Sequence, residues 1–117
     1  MVNQVVVVGR LTADPEVVET ESGKKKTTVC LAVARSYKNP EGVYESDFIR
    51  CILWNGVAAS TSEYCHKGDV VGVKGRLQTS SYEKDGETKY AIDVIAEKVT
   101  FLSSKKADSI VTEEADD

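Results

Sequence analysis

The feature that most constrains the fold of this chain is a series of short β-type segments, separated by turn signals, with room for one helix. The segments are rich in Val, Ile, Thr and aromatic residues, which strands favour. Asn39-Pro40 and Asp85-Gly86 are among the turn signals, and Asp-Gly is a strong sign of a tight hairpin. The pattern predicts strands at residues 5–11, 26–35, 46–54, 70–79 and 89–102, with a short edge segment at 16–20. The first strand is expected to be buried.

Residues 55–66 form the one good helix candidate. Asn55 is a suitable N-cap, because its side chain can accept a hydrogen bond from the first turn. Gly68 is suited to a left-handed C-cap, since glycine adopts positive φ without steric cost. The helix is expected to bury a stripe formed by Val57, Ala58, Ser62, Tyr64 and Cys65.

The order of elements predicts an all-β fold: a five-stranded OB-fold Greek-key barrel with one α-helix between the third and fourth strands. An extended hairpin follows the helix. Because tight turns join the strands, a parallel α/β sheet is excluded. The order alone leaves a different small barrel or an open α+β sheet as alternatives.

Length and composition fit one soluble domain. The 117 residues are 41% hydrophobic and 29% charged, with no apolar run near the ~20 residues of a membrane helix. Residues 1–8 lack the basic start and cleavage site of a signal peptide, so we expect a cytoplasmic protein without membrane association. Three cysteines without Cys-x-x-Cys spacing and a single histidine predict no metal site and no cofactor.

The charge divides the chain into two parts. The net charge is −4, of which residues 103–117 carry −3, with two lysines against five acidic groups. We therefore predict a domain at 1–102 and an acidic tail at 103–117 that is disordered by composition. The domain is nearly neutral, and it can still concentrate basic side chains on one face that binds nucleic acid.

The sequence contains no catalytic constellation, and we predict that the protein is not an enzyme. Ser22-Gly23-Lys24-Lys25 is only faintly similar to a phosphate loop, because Val18 stands where the first glycine belongs. We interpret it as a solvated turn. Cys65 and His66 are adjacent in sequence, and neighbouring side chains seldom face each other as a nucleophile and base must.

The strand at residues 47–54 has two different faces, because side chains alternate along a strand. One face is typical of a core: Ile49, Cys51 and Leu53. The other combines aromatics with a cation: Phe48, Arg50, Ile52 and Trp54. This second face fits the stacking of bases and pairing of phosphates, which bind single-stranded nucleic acid. It equally fits a strand buried on both faces, with Trp54 closing the end of a barrel.

Other aromatic and basic residues repeat this combination. Tyr37 lies beside Arg35, and Tyr82 lies near Lys84. Lys74 and Arg76 face away from the predicted core on the fourth strand. Each residue alone is explained as ordinary surface, but together they favour a stacking groove. Such a groove accepts DNA or RNA, because stacking does not inspect the sugar closely.

Three motifs then carry a family resemblance. Asn3-x-Val-x-Val-Val-Gly-Arg-Leu-Thr-x-Asp-Pro-Glu opens the chain, and Asp47-Phe48-Ile49-Arg50-Cys51-x-x-Trp54 occupies the middle. Lys67-Gly68-x-x-x-x-Val73-x-Gly75-Arg76-Leu77-Gln78-Thr79 follows the helix. Together, over residues 1–102, they resemble the bacterial single-stranded DNA-binding protein family.

The resemblance implies an OB-fold homotetramer that wraps single-stranded DNA, whatever its sequence, in replication, recombination and repair. It implies stacking of bases on Tyr37, Phe48, Trp54 and Tyr82. It implies basic contacts from Arg10, Arg50, Lys67 and Arg76. We predict that Arg35 and Lys74 also pair with phosphates. The alternative hypothesis is an OB-fold accessory factor, a dimer that holds another protein and touches DNA weakly.

The chain departs from the family at three places. Ser80-Ser81 precede Tyr82 where many members have basic residues, and Ile49 stands where some carry a histidine at the subunit interface. Family members also end in an acidic tip with Ile-Pro-Phe, which docks on replication and repair proteins. Residues 113–117 are acidic and contain no such motif. Partner docking through the tail is therefore expected to be weakened or absent, unless the tip lies beyond Asp117.

Overall fold

The computed structural model describes residues 1–103. Except for Ser103, the predicted acidic tail lies outside the described residues. The elements in chain order are β1 (Val5–Leu11), β2 (Val18–Glu19), β3 (Lys25–Lys38), β4 (Tyr44–Trp54), α1 (Asn55–Tyr64), β5 (Val70–Lys84) and β6 (Glu87–Ser103). Within residues 1–103, no helix is long and apolar enough to cross a membrane.

The strands form one sheet in the order β1-β5-β6-β4-β3-β2, and a further pairing of β1 with β3 closes it. The closure joins Arg10 to Ala32 and Leu11 to Leu31. All pairings are antiparallel except β4 with β6, which run parallel at Cys51 and Ile52. The predicted OB-fold barrel is confirmed. Because the two-residue β2 counts as an extra strand, the helix lies between β4 and β5.

The barrel interior is filled by the inward-facing side chains of its strands. Leu31, Cys51, Leu53, Val71 and Val73 are each at most 1% exposed. Burying an aliphatic side chain of this size stabilises a fold by roughly 1.5–3 kcal/mol. Burial also raises the pKa of the Cys51 thiol to about 11, so this cysteine behaves as a small apolar residue.

The first strand is buried on only one face, contrary to the sequence prediction. Val7 and Leu11 belong to the core, whereas Val6 is 68% exposed and Val8 is 50% exposed. A continuous apolar run suggests burial on both sides, but the outer face of β1 has no covering element within the described residues.

Both predicted caps of the helix are wrong. Trp54 occupies the N-cap position with extended backbone and no side-chain cap bond, while Asn55 takes a left-handed φ of +52° inside the first turn. The reason is that β4 runs directly into α1 without a loop. Gly68, with φ +91°, lies in the turn where Asp69 N–H donates to the His66 carbonyl at 3.0 Å. The helix has already ended at Tyr64.

The buried face of the helix also differs from the prediction. Ala58, Thr61 and Cys65 are buried, and Val57 and Ser62 are half-buried. Tyr64 is 67% exposed instead of buried. Ala58, Thr61 and Cys65 are spaced three and four residues apart, so they share the helix face that meets the barrel, and Tyr64 lies off that face.

The hairpin of β5 and β6 extends well beyond the barrel. Pairing continues from the core out to Lys84 opposite Glu87, five residues past the predicted end of the fourth strand. The turn is the predicted Asp85-Gly86, with φ of +53° and +78°. Two positive φ values define the type of turn that matches the twist of paired strands. Side chains on both faces of this stretch are exposed, so the sequence has no alternation of apolar and polar residues that would predict a strand there.

Candidate nucleic-acid interface

The two faces of β4 differ as the alternation predicts. Cys51 and Leu53 are fully buried, whereas Phe48 is 68% exposed on the opposite face. Arg50 is also exposed and Trp54 is half-buried. The alternative of a strand buried on both faces applies only at Ile52, which is 8% exposed. Its register partners are Thr28 on β3 and Ile95 on β6.

Arg50 is held at the surface by an acidic neighbour. Its Nε lies 3.4 Å from Oδ1 of Asp93 on β6, and the Asp93 side chain is only 13% exposed. The Arg50 side chain remains 60% exposed. Asp93 thus orients the guanidinium beside Phe48 without covering it, and the charge stays accessible to an anion.

Ala32 lies between this surface and the corner formed by β1 and the loop after α1. Ala32 on β3 pairs with Phe48 on one side and with Arg10 on the other, so Arg10 and Phe48 flank Ala32 on one outward face. The Arg10 Nη1 donates to the Gly68 carbonyl at 2.8 Å. Lys67 adjoins Gly68 and is exposed. Two predicted cations therefore lie at the same corner.

The outward face of β5 contributes further charge. Arg76 pairs in register with Ile95, and Gln78 pairs with Asp93, so both face outward one strand away from Arg50. Arg76 Nη1 also donates to Gln78 Oε1 at 3.1 Å. Lys74 faces outward as predicted, but its neighbour on β1 is Val6. It lies toward the β1 side of the barrel.

Two of the predicted aromatics lie at the far ends of long strands. Tyr37 is 63% exposed near the end of β3, within the irregular pairing between Ala34 and Lys38. Tyr82 is 51% exposed near the tip of the β5–β6 hairpin, opposite Lys89. The strand register places both tyrosines toward the beginning of β4, whereas Phe48 lies within β4 and Trp54 lies at its other end.

Arg35 differs from the other predicted cations, because it already has two carboxylate partners. Its Nη2 lies 2.8 Å from Asp47 Oδ1, and its Nη1 lies 2.9 Å from Glu45 Oε2. The hydrogen bond from Arg35 lowers the pKa of Asp47. Asp47 alternates with Phe48 along β4, so Arg35 lies on the opposite face of that strand from Phe48 and Arg50.

Sequence reasoning missed two members of the site. Asp93 orients Arg50, and Lys26 places its ammonium 5.4 Å from the centre of the Trp54 ring. Neither has a sequence signal of its own, because each depends on which residues the strand register brings side by side. Within residues 1–103, no group of three His, Cys, Asp or Glu side chains could hold a metal ion.

Comparison with known proteins shows which family the sequence matches. The model of the single-strand binding protein family matches residues 2–102. "Single-stranded DNA-binding protein B" of Bacillus subtilis is 47% identical over 106 residues, which cover 90% of this chain and 94% of the relative. "Single-stranded DNA-binding protein 3" of Listeria innocua is 46% identical over 107 residues, covering 91% and 67%. For "Single-stranded DNA-binding protein" of Bacillus cereus the identity is 44%, over 90% of this chain and 62% of the relative.

Proposed function

The chain belongs to the single-strand binding protein family, and from that premise we propose that it binds single-stranded DNA without sequence preference. The observation that carries the proposal is the outward face of β4, where Phe48 and Arg50 are exposed and Trp54 is half-buried beside a buried core. Bases stack on the two rings, and the guanidinium pairs with phosphate between them. Stacking accepts every base because each has a π-face.

We propose that the DNA path is completed by the remaining predicted residues. Tyr37 and Tyr82 would stack bases toward the beginning of β4, at the end of the path opposite Trp54. The phosphate contacts on the same surface would come from Arg10, Lys67 and Arg76, and Lys74 would add one on the β1 side of the barrel. Arg35 joins this set only by exchanging its carboxylate partners for phosphate. The protein would act by binding alone, without catalysis and without a cofactor.

We propose that the protein works as a homotetramer. Val6, Val8 and Leu102 are each at least 50% exposed, and apolar exposure of this kind marks interaction surfaces. Contacts between copies through this area would remove exposed hydrophobic surface from water.

The cellular role follows from the binding mode. A protein that coats single strands without regard to sequence protects the intermediates of replication, recombination and repair, and we propose these processes in the cytoplasm as its setting. Docking of replication and repair proteins on the acidic tail concerns residues outside the structure described above. Residues 104–117 contain no Ile-Pro-Phe motif.

The test uses the single tryptophan of the chain, Trp54. Titration of the protein with oligothymidine should quench its fluorescence, with an affinity that falls as the salt concentration rises. A duplex of the same length should bind more weakly. Absence of quenching together with equal affinity for duplex would overturn the proposal. Sedimentation of the free protein separates the tetramer from the dimer that the accessory-factor hypothesis predicts.

A further inference from the structure

The hairpin between β2 and β3 carries three consecutive lysines, Lys24–Lys26, that the proposed DNA path does not use. The hairpin is a defined turn: Thr20 N–H donates to the Lys24 carbonyl at 2.8 Å, and Gly23 N–H donates to the Thr20 carbonyl at 2.9 Å. Gly23 has a φ of +83°, which favours glycine. The backbone that carries the three lysines is therefore held in one conformation.

The strand register divides the lysines between two faces. Lys26 pairs with Trp54 on β4, and its ammonium lies 5.4 Å from the centre of the indole ring. Lys25 pairs with Glu19 and points to the other face. Lys24 precedes β3 by one residue, and the alternation of side chains puts it on the same side as Lys26. Two of the three lysines thus share the face of Trp54.

The charge of Lys26 is available to an anion. Among residues 1–103, none of the three lysines has a carboxylate within ion-pair distance, and Lys26 is held only by the weak attraction of an aromatic ring. Lys26 also lines a hollow of about 550 Å³ together with Asp14 and Glu16. These carboxylates repel phosphate inside the hollow, so we expect a strand to reach Lys26 from the side of Trp54.

We propose that the bound strand continues past Trp54 onto this hairpin, where Lys26 and Lys24 pair with phosphates and Lys25 does not. The proposal rests on the proposed function. A base that stacks on Trp54 competes with the ammonium for the ring. The displaced Lys26 then pairs with the phosphate of the stacked nucleotide. In the free protein, the contact with the Trp54 ring keeps the Lys26 ammonium beside the DNA path.

The salt dependence of oligothymidine binding tests the assignment. The affinity for a single strand varies with salt concentration to a power of about −0.7 per phosphate contact. The ratio of affinities at 50 and 200 mM salt should therefore fall about 2.6-fold for Lys26→Gln. It should fall about sevenfold for the double variant Lys24→Gln/Lys26→Gln. Lys25→Gln is the matched control, since it removes the same charge from the opposite face and should leave the ratio unchanged.

The possible results distinguish a failure of the proposed DNA binding from a failure of the proposed path over the hairpin. If the wild-type protein does not bind oligothymidine, the proposed function fails. If the wild-type protein binds but Lys26→Gln keeps the wild-type salt dependence, the path over the hairpin is wrong. The path is also wrong if Lys25→Gln reduces the salt dependence as much as Lys26→Gln does. Tighter binding by Lys26→Gln would also overturn it, because Lys26 would then only block the ring. Unchanged thermal unfolding of the three variants shows that any change in binding is local.

Discussion

Phe48 gives the cleanest test of base stacking at the scale of single residues. It is 68% exposed on the outward face of β4, so its replacement removes little packing. We expect Phe48→Ala to weaken oligothymidine binding by about 1–3 kcal/mol, or roughly five- to 150-fold, with little change in stability. The measurement is a fluorescence titration of Trp54, with urea unfolding as the check on stability.

Tyr64 supplies the control for this substitution. It is an aromatic residue of the same exposure, 67%, but it lies on the helix. Tyr64→Ala should therefore bind oligothymidine as the wild-type protein does. Equal losses for the two variants would mean that exposed aromatic area in general, and not the face of β4, determines the affinity.

The carboxylates around Arg35 lead to a second prediction at this scale. Asp47 and Glu45 neutralise Arg35 in the free protein, so removal of one carboxylate makes the guanidinium available. We expect Asp47→Asn to bind oligothymidine more tightly, with a salt dependence steeper by a power of about 0.7. The exposed pair contributes little to stability, because water and salt screen it.

The matched control removes a carboxylate elsewhere. Glu63→Gln changes the net charge by the same amount on the exposed side of the helix, and it should leave the salt dependence unchanged. If Asp47→Asn also keeps the wild-type salt dependence, Arg35 does not reach the DNA. The prediction that Arg35 is a phosphate contact would then be wrong.

At the scale of elements, the close pairing of β5 with β6 depends on a glycine. The register shifts between Lys74 and Gly75, and a Cβ at Gly75 would lie 2.0 Å from the Ile95 carbonyl oxygen. Backbone atoms cannot move away as a flexible side chain can. We expect Gly75→Ala to lower the free energy of unfolding by at least about 2 kcal/mol, measured by urea denaturation.

Gly56 is the corresponding control. A Cβ built there meets no atom within 4 Å, and the residue lies in α1. Gly56→Ala should keep or slightly raise the stability, by up to about 1 kcal/mol, because alanine has less freedom to lose in a helix. A stable Gly75→Ala variant would mean that the two strands can separate at the bulge without cost.

The elements also explain which features the sequence could predict. Alternation along β4 predicted its two faces, and Asp85-Gly86 predicted the hairpin turn, because both signals are local. The length of β5 was underestimated, since residues 80–84 are exposed on both faces and have no hydrophobic pattern.

Non-local contacts were the part of the site that sequence reasoning could not supply. Asp93 beside Arg50 and Lys26 over Trp54 join strands that are distant in sequence, and only the register brings them together. The helix N-cap was missed for a related reason, because the barrel delivers β4 directly into α1 and leaves Asn55 inside the first turn.

At the scale of the whole molecule, the proposed assembly through the outward face of β1 can be tested. Val6 and Val8 are exposed on a strand that otherwise belongs to the core. We expect Val8→Asp to shift the proposed tetramer toward smaller species in sedimentation, because an interface would have to bury an unpaired charge. The barrel itself should remain folded, since Val8 points away from the core.

Val43→Asp controls for added charge, because Val43 is similarly exposed, at 54%, in the loop between β3 and β4. It should sediment like the wild-type protein. The two variants also separate assembly from DNA contact. Neither removes an aromatic or basic residue of the proposed path, so weaker binding by Val8→Asp alone would mean that a strand is held by several subunits at once. A Val8→Asp variant that remains tetrameric would exclude this face of β1 as a subunit contact.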